Sequence, residues 1–212
     1  AAEAFSKALQ KQPDSAHYAY LLGLSLFKAG ETDQAVAPLQ QSLHLDSTPV
    51  DTHLALGSVL DRLGRRTEAE WQWRLALSLD PKSSTAIENL SRDLLADGNY
   101  ASVIEMLRPL DASGQLATAA AVNLSVAYTK SGLLDNASHV LQGALRADPS
   151  AVPAIEAMSA VLVLQIRYPA ALAITSPAAR QHPEAGQLQL RYLHVLVLAR
   201  DPEGYRRLSM AI

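Results

Sequence analysis

Six histidines, two tryptophans and 21 carboxylates are the side chains of this sequence best suited to chemistry, and their spacing argues against each chemistry in turn. The histidines stand at His17, His44, His53, His139, His182 and His194. A helical zinc site needs two imidazoles one turn apart, as in His-Glu-x-x-His, and no pair here has that spacing. Asp51 and His53 are near neighbours, but two residues along a helix they point in different directions. No cysteine occurs, which excludes disulfides and thiolate metal sites. Phosphate-cradling glycine loops and the Gly-x-Ser-x-Gly nucleophile turn are absent. Glu68 and Glu70 belong to a solvated helix face and do not make an acid/base pair. Catalysis, metals and cofactors are therefore not expected. Trp71 and Trp73 cannot share a helix face, so Trp73 is assigned to the core and Trp71 to the surface. The Asn-x-Ser sequons at Asn89, Asn123 and Asn136 are read as chance, the first two falling mid-helix.

Composition narrows the class further. About half of the 212 residues are apolar, enough to bury a core, and the net charge is −3. No lysine-rich run or basic stripe exists, so nucleic acid is not an expected partner. The longest apolar runs, near Val161–Ile166 and Val195–Ala199, fall far short of the ~18 residues of a membrane span. The first residues, Ala1 to Phe5, show no signal-peptide pattern. Alanine-rich, lysine-poor composition points to a bacterial source. A chain without cysteine suits cytoplasm or periplasm alike. Nothing in the sequence fixes an oligomeric state.

What positions these residues is a repeat. Gly30, Gly64, Gly98 and Gly132 are each 34 residues apart, and Pro13, Pro81, Pro149 and Pro183 fall on a second lattice at multiples of 34. Ser47 and Gln115 fill its gaps. Between these marks the apolar residues recur in one order. One copy reads His53, Leu56-Gly57, Leu60, Ala69, Trp73, Pro81; the copy before it reads Ala19, Leu22-Gly23, Leu26, Ala35, Leu39. Later copies carry Ile87, Leu90-Ser91, Leu94, Val103, Leu107, then Ala121, Leu124-Ser125, Tyr128, Ala137, Leu141, then Ile155, Met158-Ser159, Leu162, Ala171, Thr175. A sixth, weaker copy has Gln189, Tyr192-Leu193, Leu196 and Tyr205. Leucines at i and i+4 form one helix face. Small residues at Gly23, Gly57, Ser91, Ser125 and Ser159 let the two helices of a hairpin approach. The lattice glycines end the first helix of each hairpin in the left-handed conformation.

In its 34-residue period and this residue order, the whole chain resembles the tetratricopeptide repeat family. The resemblance implies an all-α fold, a right-handed superhelical solenoid of antiparallel helix hairpins. Thirteen helices are expected. First helices lie near 15–29, 50–63, 84–97, 117–131, 151–165 and 185–199, and second helices near 32–45, 66–79, 100–111, 134–147, 168–180 and 202–212, preceded by a lone second helix at 2–11. This gives a half repeat at 1–14, repeats at about 16–49, 50–83, 84–117, 118–151 and 152–185, and an incomplete repeat at 186–212. Neither end reads as a polar capping helix, so the sequence is expected to be a piece of a longer chain. Pro38, Pro109 and Pro177 are expected to kink or shorten their helices. Ile166 takes the place of the turn glycine in the fifth repeat. Asp80 and Asp148 are expected to cap the helices that follow them.

The resemblance also implies a function. Family members bind another protein or peptide in a groove lined by the first helices. Here the groove positions include Tyr20, Leu24 and Phe27, then Leu54, Ser58, Asp61 and Arg62, then Asn89 and Arg92, then Asn123, Val126 and Lys130. Asn89 and Asn123 resemble a short form of the asparagine ladder of O-GlcNAc transferases. A side-chain amide offers donors and an acceptor and so pairs with any peptide backbone. The family's two-carboxylate clamp is not matched, because Leu54, Ser58 and Ala119 stand where polar groups are needed. The expected role is an interaction scaffold; the alternative is the recruiting domain of a larger enzyme or secretion component.

Overall fold

The structure, a computed structural model, describes residues 1–200. Among them are twelve helices and no strand: α1 Ala2–Lys11, α2 Ala16–Lys28, α3 Thr32–Leu45, α4 Val50–Arg62, α5 Arg66–Leu79, α6 Ser84–Ala96, α7 Tyr100–Ala112, α8 Thr118–Lys130, α9 Leu134–Ala147, α10 Val152–Leu164, α11 Tyr168–Gln181 and α12 Gly186–Arg200. The thirteenth expected helix, 202–212, and Tyr205 lie outside the described residues. The fold class is as expected, a solenoid of antiparallel helix hairpins. The chain divides into two compact units, Ala1–Asp93 and Leu94–Ile212, with the boundary inside α6.

In the first unit, α1 packs on α2, and α2/α3 and α4/α5 form hairpins joined by contact between α3 and α4. Its core is the fully buried set Ala19, Ala35, Leu39, Val59, Ala69, Trp73 and Ala76. The small residues act as the repeat requires. A Cβ added to Gly23 would lie 2.6 Å from Leu39 Cγ, and one added to Gly57 would collide with the Trp73 indole. In the second unit α8/α9 and α10/α11 form hairpins, and α12 packs on α11. Leu124, Leu141, Ala137, Ala171 and Leu188 are fully buried there.

The turns show why the glycines keep their register. Gly30, Gly64, Gly98 and Gly132 have φ of 85, 74, 72 and 77°. After each, the next amide closes the turn on a carbonyl five residues back, as in Arg65 N to Leu60 O at 2.9 Å and Leu133 N to Tyr128 O at 2.8 Å. This is the left-handed helix stop that glycine adopts without a Cβ penalty. The fifth repeat makes the same bond, Arg167 N to Leu162 O at 2.8 Å, with Ile166 at φ 60°. A β-branched residue in that conformation is strained. Ile166 is 56% exposed, so glycine there sacrifices little burial. Ile166→Gly is expected to stabilise the protein by about 1 kcal/mol, raising the melting temperature by a few degrees. A lower melting temperature would mean the isoleucine packs better than its exposure indicates.

Two expectations need correction: that the prolines shorten their helices, and that Asp80 and Asp148 cap the helices after them. Pro38 and Pro177 lie inside full 14-residue helices, and α7 runs past Pro109 to Ala112. Each proline forfeits one internal hydrogen bond. Leu39, Ser42, Ala178 and Ala179, all buried beyond the proline in the same helix, hold the following turn in place. Asp80 and Asp148 cap no helix start. They end α5 and α9, and Oδ1 of each accepts the amide two residues on, Lys82 N at 3.0 Å and Ser150 N at 2.9 Å. Asp46 does the same with Thr48. This is the local aspartate turn, which competes with a cap when the next helix begins several residues later. The start of α6 is served instead by Ser83 Oγ, which accepts from Ala86 N at 3.5 Å, and Ala151, the residue before α10, supplies no side-chain cap.

Candidate functional site

Residues 3.6 per turn apart on the first helices produce a continuous face in the first unit. Tyr20, Leu24 and Phe27 follow one another at i, i+4 and i+7 on α2 and are all half-buried. Leu54, Ser58 and Asp61 do so on α4. Cross-repeat contacts tie these helices side by side. The Arg62 guanidinium stands 5.2 Å from the centre of the Phe27 ring, a cation–π geometry. Arg92 Nη2 on α6 donates to Asp61 Oδ2 on α4 at 3.3 Å. Arg92, one of the expected groove residues, is thus already partnered in an exposed ion pair. Such a pair is worth little, so it can be exchanged for a ligand carboxylate. Asn89, one turn before Arg92, is half-buried.

At the start of this face lies a cleft of about 420 Å³ lined by Ala16, His17, Tyr20, Ser42, Asp46, Pro49, Asp51 and Thr52. Burial, then the charge of Asp51, pushes the Tyr20 phenol above its usual range, so it stays a neutral donor. The Asp46 carboxyl is held below its usual range by the Thr48 amide and hydroxyl, so it stays ionised. Ser42 Oγ donates to the Ala16 carbonyl at 2.8 Å and Gln41 Nε2 to the Pro13 carbonyl at 3.1 Å, fixing α3 against the start of α2. The cleft presents polar and carboxylate groups able to recognise a cationic or hydrogen-bonding group.

In the second unit, Asn123, Val126 and Lys130 share one face of α8, the first two half-buried and Lys130 exposed. Sequence reasoning missed several polar contacts that hold neighbouring helices in place. His53 is 5% exposed; its Nδ1 is 2.8 Å from the Gln72 amide and its Nε2 3.1 Å from the Ser47 carbonyl. Gln165 Nε2 donates to Asp135 Oδ1 at 3.0 Å, joining the α10–α11 turn to α9. Asn99 Oδ1 caps α7 through Ser102 N at 3.3 Å, and the residue before a helix that continues with Tyr-Ala-Ser was a signal for it. Among the described residues no three histidine or carboxylate side chains converge as a metal site, and no helix is long and apolar enough to cross a membrane.

Comparison with known proteins places this geometry in a class. A family model, Tetratricopeptide repeat, matches residues 1–51. The chain is 32% identical over 98 residues to the type IV pilus assembly protein PilF of Pseudomonas aeruginosa, covering 46% of this chain and 39% of that protein. It is 29% identical over 194 residues to Superkiller complex protein 3 of Homo sapiens, covering 87% of this chain and 12% of that protein. The chain therefore spans well under half the length of either relative. Its fold matches YrrB, a TPR protein with an unusual peptide-binding site, at a TM-score of 0.69 and 20% identity, over 89% of this chain and 97% of that one. Residues 1–51 thus match the tetratricopeptide repeat model, and the described helix hairpins share the fold of a solved TPR protein.

Proposed function

We propose that the chain holds a peptide segment of a partner protein against its first-helix faces. The observation that carries this is the half-buried apolar strip Tyr20, Leu24, Phe27 and Leu54 in the first unit, edged by groups that pair with a backbone or a charge. Phe27 beside Arg62 supplies an aromatic anchor of the kind that dominates interface energetics. Asn89 supplies an amide for backbone pairing. The cleft around Tyr20, Asp46 and Asp51 suits a cationic side chain of the segment. In the second unit Asn123, Val126 and Lys130 form the corresponding face.

The test is to recover partners with the complete protein, then to titrate each against variants. Leu24→Ala/Phe27→Ala is expected to weaken binding by about tenfold or more. Asn89→Ala and Asn123→Ala, each removing bonds worth about 0.5–1.5 kcal/mol, are each expected to weaken it by about threefold to tenfold. Trp71→Ala, on a second helix, is the control and should leave affinity unchanged. Full affinity in all the first-helix variants would move the binding surface elsewhere.

A second reading rests on the relatives. The identity to a pilus assembly protein, over a fraction of its length, favours a recruiting module within a larger secretion or surface-organelle assembly. Migration of the native protein as a free monomer in cell extract would count against it.

A further inference from the structure

Arg146 and Arg167 stand at the edge of a second-unit cleft of about 430 Å³ with an apolar floor. Leu145 of α9, Met158 and Leu162 of α10 and Ile174 of α11 line it. Met158 and Leu162 are each only 5% exposed, so the floor is fixed by the core. Among the described residues no aspartate or glutamate lines this cleft. Arg146 Nε donates only to the Gln142 carbonyl, one turn back in its own helix, at 3.3 Å. Among the described residues neither guanidinium forms an ion pair. Asp111, which lines a neighbouring cleft with Arg146, does not pair with it.

The repeat supplies an internal control. Arg65 occupies the position of Arg167 three repeats earlier, and its Nε and Nη2 donate to Glu68 at 2.7 Å each. After Arg167 the corresponding place holds Ala170, and the counterpart of Arg146 is His44. This hairpin has thus gained one guanidinium, lost the carboxylate that would neutralise the other, and set both beside an apolar hollow.

We propose that this cleft docks a short acidic–apolar segment of a partner protein. One or two bulky apolar side chains enter between α9 and α11, and two carboxylates along the same segment pair with Arg146 and Arg167. The volume is in the range of formed ligand sites, mostly apolar with a few polar groups that set orientation. A guanidinium matches a carboxylate with two parallel hydrogen bonds. Because Arg146 lies on α9 and Arg167 in the turn before α11, a peptide with spaced acidic side chains satisfies both, whereas a single-headed anion satisfies one. The floor methionine, unbranched and polarizable, tolerates varied apolar side chains. The cleft shares no residue with the first-helix faces proposed above.

A random nine-residue peptide-display library panned on the full chain tests this. The expected result is an enriched class in which leucine, phenylalanine or tryptophan is flanked by aspartate or glutamate. Measured with the fluorescein-labelled peptide, Arg146→Glu/Arg167→Glu should weaken binding by about tenfold or more, and affinity should fall as salt is raised. Leu24→Ala/Phe27→Ala should leave this class unaffected, so failure here and failure of the first-helix reading are separable. Both arginines are exposed, and the melting curve of the double variant should match the parent. Arg146→Gln/Arg167→Gln, which removes charge without reversing it, should give an intermediate loss. Absence of an acidic–apolar class, or one that survives both arginine variants, overturns the proposal.

Discussion

Trp73→Ala is expected to destabilise the protein by about 3–5 kcal/mol, the cost of truncating a fully buried aromatic side chain. Trp73 has no exposed surface and is the largest fully buried side chain of the first unit. It lies on α5 where the hairpin closes on Gly57 of α4, with Ala69 and Ala76 on either side, both also inaccessible. A loss of that size is a large share of the ~5–15 kcal/mol that holds a whole domain together. Trp71, two residues away and 61% exposed, provides the contrast. Trp71→Ala should change stability by no more than about 0.5 kcal/mol. Urea melts of the two variants measure both. Equal effects would place the wrong tryptophan in the core. Because hairpins stabilise their neighbours, hydrogen exchange in Trp73→Ala should quicken in α2 and α3 as well as in α4 and α5.

Helix boundaries were legible almost residue by residue because a solenoid's contacts are periodic. Gly30, Gly64 and Gly132 each mark a place where only one backbone conformation closes the hairpin, and the small residue seven positions earlier marks where the helices touch. Such signals are local and repeat, so several weak marks add to a firm one. Single-copy features were harder. Pro38 looks like a breaker in isolation, but tertiary packing of Leu39 outweighs one missing hydrogen bond. Asp148 looks like a cap, yet an amide two residues on is nearer than the next helix. The proposed binding face was legible as a set of positions on successive first helices, and Tyr20, Leu24 and Phe27 do share a face. What those residues are engaged in was not. The partner of Arg92 is Asp61, 31 residues away, and the ring beneath Arg62 belongs to another repeat. The cleft edged by Arg146 and Arg167 draws on three helices, and no pattern within any one of them announces it. Only comparison of Arg167 with Arg65, one paired to Glu68 and one not, exposes it after the fact.

Gly57→Ser is expected to destabilise by about 1–3 kcal/mol as an overpacking change, even though serine is a better helix former than glycine. A Cβ at residue 57 has no room, because it would collide with the Trp73 indole, and a fully buried indole cannot swing aside. The chain itself indicates how the conflict is relieved. The position of Gly57 carries serine at Ser125, and the residue 16 places on, opposite it in the hairpin, is then Leu141, not tryptophan. Both are buried, at 1% and 0% exposure. Glycine with tryptophan and serine with leucine are thus two solutions to one packing problem, and glycine with leucine, at Gly23 and Leu39, is a third. Trp73 also carries a burden that Leu141 does not, since its buried Nε1–H has no hydrogen-bond partner among the described residues. Such a group costs about 1–3 kcal/mol when left unsatisfied, and leucine removes it. Gly57→Ser/Trp73→Leu should therefore be less destabilised than the sum of its single variants, by about 0.5–3 kcal/mol, as expected for residues in direct contact. A double-mutant cycle from chemical denaturation measures that difference. Strict additivity would show that the small residue and its partner are chosen independently in each repeat, and that the approach of α4 to α5 is set by other contacts.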